Sequence, residues 1–331
     1  MKILYSIILS LLLVLFSSLS LLTIANAQEP TDIPEGYKLI EGDILVPVNS
    51  YEADGIGIRS AYTSTSLWPN GIVPYEFSTT VTMVSQTLML AAMQEWENVA
   101  TVDFKAHNSE ADFVYIQNSS ENSSPIGIQG GKQVINIFNW NNRFVMAHEL
   151  AHTLGFWHEQ SRPDRDSYVT IITGNIIVTD VHNFATHAEA DVYPKAAYGL
   201  SGDKTYDFDS VMHYSQCAFS IATCPPAVTI QVQPAYSTWQ NKIGQRTHLS
   251  PIDKLTMSFL YPKNNWYFVD GTHSGLHTGD FLSPYPQFTT AMNSVTGGDI
   301  LWIQPGNYSA VGIYNQAVTL QAPLGNVTLG P

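Results

Sequence analysis

Apolar residues recur at helical spacing in "TVTMVSQTLMLAAMQEWENVA". Val84, Leu88, Ala91 or Ala92, Trp96 and Val99 share one face and predict a helix over about residues 82–99. "ADFVYIQN" and "KQVINIFNW" instead alternate apolar and polar positions, the period of half-buried strands. The polar stretch "SSENSSPIGIQGG" between them reads as a loop leading into an edge strand at 123–129. "RFVMAHELAHTLGF" returns to the helical period. Upstream, Pro69-Asn70-Gly71 marks a turn between short apolar runs. Downstream, Ser250-Pro251 signals the start of a short helix ending near Leu260, with Pro262 closing it. Helix, strands and helix in that order indicate an α+β domain.

Two flanking regions have a different character. Residues 28–59 are polar, carry Pro and Gly, and show no helical period, the profile of an exposed connecting segment with a basic cleavage point at Arg59. Residues 263–331 are rich in Gly, Thr and Asn, with short β-type runs at 300–303, 318–320 and 327–329. After a helix-like lead-in, these runs read as the opening rungs of a parallel β-helix, a fold that needs stacked neighbours for stability.

Composition narrows the classes. The chain has 331 residues, is 44% hydrophobic and 13% charged, and carries a net charge of −14, which argues against a nucleic-acid partner. It opens with one lysine, a long apolar run and Ala25-Asn26-Ala27, the layout of a secretory signal peptide over residues 1–27. The run 3–24 is also long enough to stay as an uncleaved membrane anchor. No second apolar stretch of that length follows, so no stable membrane association is expected after signal cleavage, and the product is expected outside the cell or in a periplasm. Export permits a disulfide between Cys217 and Cys224, the two cysteines present, but their spacing does not establish that one forms.

The chemistry concentrates in "MAHELAHTLGFWHEQSRPDRD". On a helix, His148 and His152 lie one turn apart on one face and can hold one divalent cation. Glu149 then lies beside the metal, where it can take a proton from a metal-activated water and return it to a leaving amine. Gly155 allows an abrupt exit from the helix, which brings His158 back to the same point. Three neutral imidazoles leave a fourth position open, the signature of a catalytic zinc site. The string H-E-x-x-H-x-x-G-x-x-H is the metzincin pattern.

The continuation past His158 resembles the astacin family of zinc endopeptidases, whose pattern runs on as E-x-x-R-x-D-R-D. Glu159, Arg162, Asp164, Arg165 and Asp166 occupy those places. "SVMHY" resembles the family's Met-turn, and the likeness extends over about residues 61–262. The resemblance implies a two-lobed metzincin-like fold with a five-stranded-type sheet and an active-site helix. It implies one Zn2+ on His148, His152 and His158, with Glu149 as general base and acid, Met212 as the apolar floor, and Tyr214 as both a weak fifth ligand and a hydrogen-bond donor to the developing oxyanion. Glu159 would contact the mature N-terminus, Ser60 or Ala61, once residues 28–59 are removed as a propeptide. Arg162, Asp164, Arg165 and Asp166 fit a structural ion cluster.

Family propeptides carry F-x-G-D, whose aspartate blocks the zinc. Here "LIEGDI" has Ile40 at the aromatic position and Asp43 as the candidate latency switch, although Gly-Asp is also a common turn pair. The family's usual two disulfides are absent, which suggests a bacterial-type member.

These implications lead to a secreted zymogen that cleaves proteins or peptides, with substrate added as a strand along 123–129 and loops 172–205 and 215–247 shaping the pocket. The division would be 1–27 signal peptide, 28–59 propeptide, 60–262 catalytic domain and 263–331 β-rich segment. The last offers no site residue for a surface or glycan contact, and a structural appendage is the equal alternative. The rival function is a non-catalytic zinc-containing adhesion scaffold, against which the intact Glu149 argues. Asn118, Asn122, Asn307 and Asn326 lie in glycosylation sequons, which matter only in a host that glycosylates.

Overall fold

The computed structural model describes residues 33–48, 67–186, 206–280, 283–322 and 326–330, all within one compact unit spanning 32–331. The leader, the mature end at Ser60 or Ala61 and part of the 172–205 loop lie outside the described residues.

The centre is a parallel sheet of β3 (Ile72–Phe77), β4 (Asp103–Ala106), β5 (Phe113–Asn118) and β7 (Lys132–Ile137), ordered β4-β3-β5-β7. The expected edge strand is reduced to β6 (Ser124–Pro125), attached to β7 by the antiparallel bridge Ser123↔Asn136. Two helices cover the sheet. α1 (Met83–Glu97) starts at Thr82, whose hydroxyl accepts from Ser85 N at 3.2 Å. α2 (Arg143–Thr153) starts at Asn142, whose side chain accepts from Phe144 N and Val145 N. Both are side-chain N-caps that satisfy otherwise orphaned donors.

The buried stripe of α1 is Met89, Ala92, Met93 and Trp96. The sequence pattern puts Val84 on that face, but Val84 is 72% exposed, since burial along α1 begins only at Met89. α2 is buried from Met146 through Thr153. The Trp96 indole donates to Ala147 O at 2.9 Å and that of Trp68 to Thr153 O at 3.0 Å, so α2 is pinned along its length.

A second apolar cluster, including Tyr168, Val169, Phe184, Tyr206, Tyr214, Ile230 and Val232, forms around the antiparallel pair β8 (Val169–Ile171) and β9 (Ile230–Val232). Cys217 and Cys224 are joined by a disulfide beside it, which resolves the pairing left open by the sequence. α3 (Pro251–Leu260) begins with a capping box between Ser250 and Asp253.

Residues 28–59 read as an exposed connecting segment without a helical period, yet Ile44, Leu45 and Val46 are buried. β1 (Tyr37–Ile40) and β2 (Ile44–Pro47) form an antiparallel hairpin, and β2 adds in parallel to β6. Strands this short are held by their partner edge rather than by their own periodicity.

The C-terminal segment stacks β10 (Trp266–Val269), β11 (Ile300–Ile303) and β13 (Thr319–Gln321) in parallel, and pairs β12 (Gly306–Ser309) with β14 (Val327–Gly330). α4 (Phe288–Ser294) packs against this stack, matching the expected helix-like lead-in to β rungs. Trp266, Phe268 and Trp302 cluster with Leu255 of α3, so this segment shares a core with the sheet-and-helix body.

Leu150 is fully buried between the sheet and the other helix. Leu150→Ala should lower unfolding stability by about 2–5 kcal/mol, read in a denaturant titration. Val84→Ala, on the exposed turn, should change it by less than about 0.5 kcal/mol. Equal losses at both positions would contradict the observed phase of α1.

Candidate active site

His148 and His152 sit on adjacent turns of α2, and the helix stops just beyond them. Gly155 has φ +109°, a left-handed value that a side chain resists, and its N–H donates to His152 O at 2.8 Å. The reversal returns His158 to the first two rings. His148 Nε2 lies 3.2 Å from His152 Nε2 and 3.4 Å from His158 Nε2. Three nitrogens about 2.0–2.1 Å from one tetrahedral zinc would stand about 3.3 Å apart.

The outward nitrogens are also settled. His148 Nδ1 is 2.8 Å from Val211 O, His152 Nδ1 is 2.6 Å from Phe156 O, and His158 Nδ1 is 2.7 Å from a Glu41 carboxylate oxygen. With each Nδ1 engaged outward, each Nε2 is left facing the common centre, where its lone pair would be available to a bound zinc ion, and the residues fit one.

Asp43 completes the group. Its carboxylate lies 3.2 Å from His148 Nε2 and from His158 Nε2, and 3.6 Å from His152 Nε2. All four ligand atoms fall within 4.8 Å of one another. The β1–β2 turn delivers it through Glu41 and Gly42, at φ +47° and +75°. A Cβ on Gly42 would stand 2.5 Å from the Phe219 ring, so this turn takes only glycine. Ser124 N donates to Asp43 O at 2.9 Å, and Ile40, Ile44 and Val46 pack on Ile126 and Trp157. The edge expected to bind substrate is therefore covered by the hairpin, and Ile40, where the family pattern has an aromatic, sits in an apolar cluster with Ile126 and Trp157.

Electrostatics around this point are dense. Desolvation opposes ionisation of Asp43, but the His158 charge and hydrogen bonds from the three histidines hold its carboxyl well below the usual range. Burial alone would lower His158, yet Asp43 and then Glu41 outweigh it and raise it to about 9. Glu41 is 1% exposed, so its negative charge requires a positive partner here.

Glu149 is buried one residue from His148, and its Oε2 has no hydrogen-bond partner among the described residues. Burial, and then the Asp43 charge, raise its pKa well above the ordinary value, while Arg246 acts in the opposite direction. The Tyr214 ring lies 4.5 Å from that of His158, and its hydroxyl donates to the Glu41 carbonyl oxygen. Met212 is buried in the main core, and its carbonyl accepts from Glu159 N at 3.1 Å. Arg162 forks onto Asp164 at 2.8 and 2.6 Å and reaches Glu159 at 2.7 Å, while Arg165 donates to Gln160 O and Phe184 O. Asp166 is largely solvent-exposed. These arginine contacts tie the loop after His158 to Glu159, Gln160 and Phe184.

Sequence reasoning passed over three residues: Glu41, Arg246 and Asp253. Glu41 stood as the spacer in the Gly-Asp motif. Arg246 donates to His213 O at 3.1 Å and carries positive charge toward Glu149 and Tyr214. Only the capping signal at Ser250 pointed toward Asp253.

Comparison with known proteins converges on one family. The family model described as Astacin, a peptidase family, matches residues 60–262. Meprin A subunit beta of Rattus norvegicus is 33% identical over 238 residues, covering 71% of this chain and 31% of that protein. Tolloid-like protein 2 of Mus musculus is 35% identical over 251 residues, covering 73% of this chain and 24% of that protein. The chain thus spans about a third or less of the length of these relatives. Among solved structures, high choriolytic enzyme 1, a hatching enzyme zinc-protease from the medaka fish Oryzias latipes, is 31% identical with a TM-score of 0.52, covering 60% of this chain and 94% of that one.

Gly42→Ala should dislodge the hairpin turn. Hydrogen exchange at the Ser124 amide, protected by Asp43 O, should accelerate by about tenfold or more, and unchanged protection would contradict the geometry.

Proposed function

This chain belongs to the astacin family, and on that premise we propose that it is a zinc endopeptidase exported as a latent precursor. The observation that carries this reading is the Asp43 carboxylate seated against three converging imidazoles while its own strand covers β6. One short segment thereby blocks the metal centre and the substrate edge together.

His148, His152 and His158 would hold the zinc, with Asp43 as the fourth ligand in the latent chain. Zinc bound there would polarise a substrate carbonyl and make a water acidic enough to attack near neutral pH. The chain's own groups supply the rest. Glu149 sits beside the ligands with a carboxylate oxygen that has no hydrogen-bond partner among the described residues. It is suited to accept a proton from the attacking water and return it to the leaving nitrogen. Tyr214 already donates to a peptide carbonyl, that of Glu41. With residues 28–59 removed, that hydroxyl is available to the oxyanion of a substrate, or as the weak fifth zinc ligand implied by the family resemblance. Residues 123–129 would then bind an extended substrate by main-chain hydrogen bonds.

Removal of 28–59 after Arg59 would create an N-terminus at Ser60 or Ala61. Glu159, now held by Arg162 and Asp207 N, is its proposed partner. Residues 1–27 are the proposed export signal. Among the described residues no helix is long and apolar enough to cross a membrane. Protein or peptide substrates follow from the family. The C-terminal segment is proposed as a docked appendage to the catalytic body, on the strength of the shared Leu255–Trp266–Phe268–Trp302 cluster.

The test uses the full chain with casein as substrate. Asp43→Ala should cleave casein without processing, whereas the unprocessed parent stays silent. Adding Glu149→Gln to Asp43→Ala should lower turnover by about 10²–10⁴-fold. Chelation should abolish the activity, and zinc should restore it. An Asp43→Ala chain as silent as its parent would overturn Asp43 as the residue on which latency turns, and full activity with Glu149→Gln would overturn the assignment of the base.

A further inference from the structure

α3 begins far from the histidine helix in sequence, yet its first turn reaches the Met-turn backbone. Its capping box needs two bonds: Asp253 N donates to Ser250 Oγ at 2.8 Å, and Ser250 N donates to Asp253 Oδ2 at 2.9 Å. Asp253 makes two more. Its Oδ2 also accepts from Val211 N at 2.9 Å, and its Oδ1 accepts from Ser210 Oγ at 2.7 Å. A helix cap alone does not require these additional bonds.

The second of these bonds leads to the metal site. Having donated its proton to Asp253, Ser210 Oγ accepts from Met212 N at 3.0 Å. That N–H belongs to the peptide unit whose carbonyl is Val211 O, and Val211 O receives the Nδ1–H of His148 at 2.8 Å. A single peptide plane is therefore fixed at both ends, by His148 on its oxygen and by Ser210 and Asp253 on its nitrogen. All donors point the same way along the chain, so the carboxylate charge polarises each bond in turn. Asp253, Ser210 and Ser250 are all 3% exposed or less, which limits competition from water.

We propose that Asp253, acting through Ser210 and the Val211–Met212 peptide, is a positioning residue that sets the orientation and donor strength of His148. The inference rests on the zinc reading of the histidine cluster. The other two ligands are oriented differently. His152 is held by Phe156 O at the end of its own helix. His158 is held by Glu41, which departs with the pro-segment. Once residues 28–59 are removed, His148 is thus the ligand whose orientation depends on a distant element of the fold.

The experiment loads the full chain with Co2+ as a spectroscopic stand-in for zinc. It measures affinity by chelator competition, the visible absorption band and the melting temperature. The variants are Asp253→Asn, Ser210→Ala and Ser250→Ala. Ser250→Ala removes the helix-cap hydroxyl and leaves the link to His148 intact. Asp253→Asn and Ser210→Ala should weaken cobalt binding by about 10–100-fold and shift the visible band. Ser250→Ala should lower the melting temperature but keep parental affinity and spectrum. If Asp253→Asn does not fold, Ser210→Ala carries the same test. Parental cobalt affinity and spectrum in the folded Asp253 and Ser210 variants would overturn the proposal, as would equal weakening by Ser250→Ala. A parent chain that takes up no cobalt would overturn the metal-site reading itself, and this inference with it.

Discussion

Three imidazoles converge, with His148 Nε2 3.2 and 3.4 Å from those of His152 and His158, and form the constraint around which the rest is arranged. Such a group is stable only around positive charge, and two carboxylates crowd in to share it. A divalent cation meets that need, since it replaces repulsion between lone pairs with bonds to each of them. The left-handed Gly155, the Val211 carbonyl and the pinned helix α2 all serve to hold the three rings in that geometry.

The surrounding body is built in layers outward from this point. The parallel sheet and α1 fix α2 from one side, through Trp96 and the apolar stripe beneath it. The Met-turn closes the other side. Glu159 N holds its Met212 carbonyl, and Ser210 and Asp253 hold its amides. The β1–β2 hairpin lies against the site, and Asp43, Glu41 and the β2–β6 pairing each engage a different part of it. On the proposed latent reading, ligand replacement, ligand orientation and edge occupation would act together through one short segment.

How much was legible beforehand depended on how local each cause was. The spacing of His148, His152 and His158 and the break at Gly155 are properties of one continuous stretch, so the candidate ligands could be read from sequence. The caps at Ser250 and the period of α2 are local as well. The buried face of α1 was misjudged at Val84, because the sequence cannot show where burial along the helix begins. The β1–β2 hairpin was missed because its strands gain order from β6, about eighty residues away in the chain. Glu41, Arg246 and Asp253 act through partners brought together only by the fold. The Cys217–Cys224 bond was permitted by spacing, and only the folded arrangement established it.

X-ray absorption at the zinc edge, on the full unprocessed chain, tests most directly whether one zinc ion sits on three histidines with Asp43 as its fourth ligand. The expected result is one zinc per chain with three imidazole nitrogens and carboxylate oxygen at about 2.0–2.2 Å. Asp43→Ala should keep the three imidazoles and exchange the carboxylate for water. A chain without zinc, or a zinc site with fewer than three imidazoles, would contradict that arrangement.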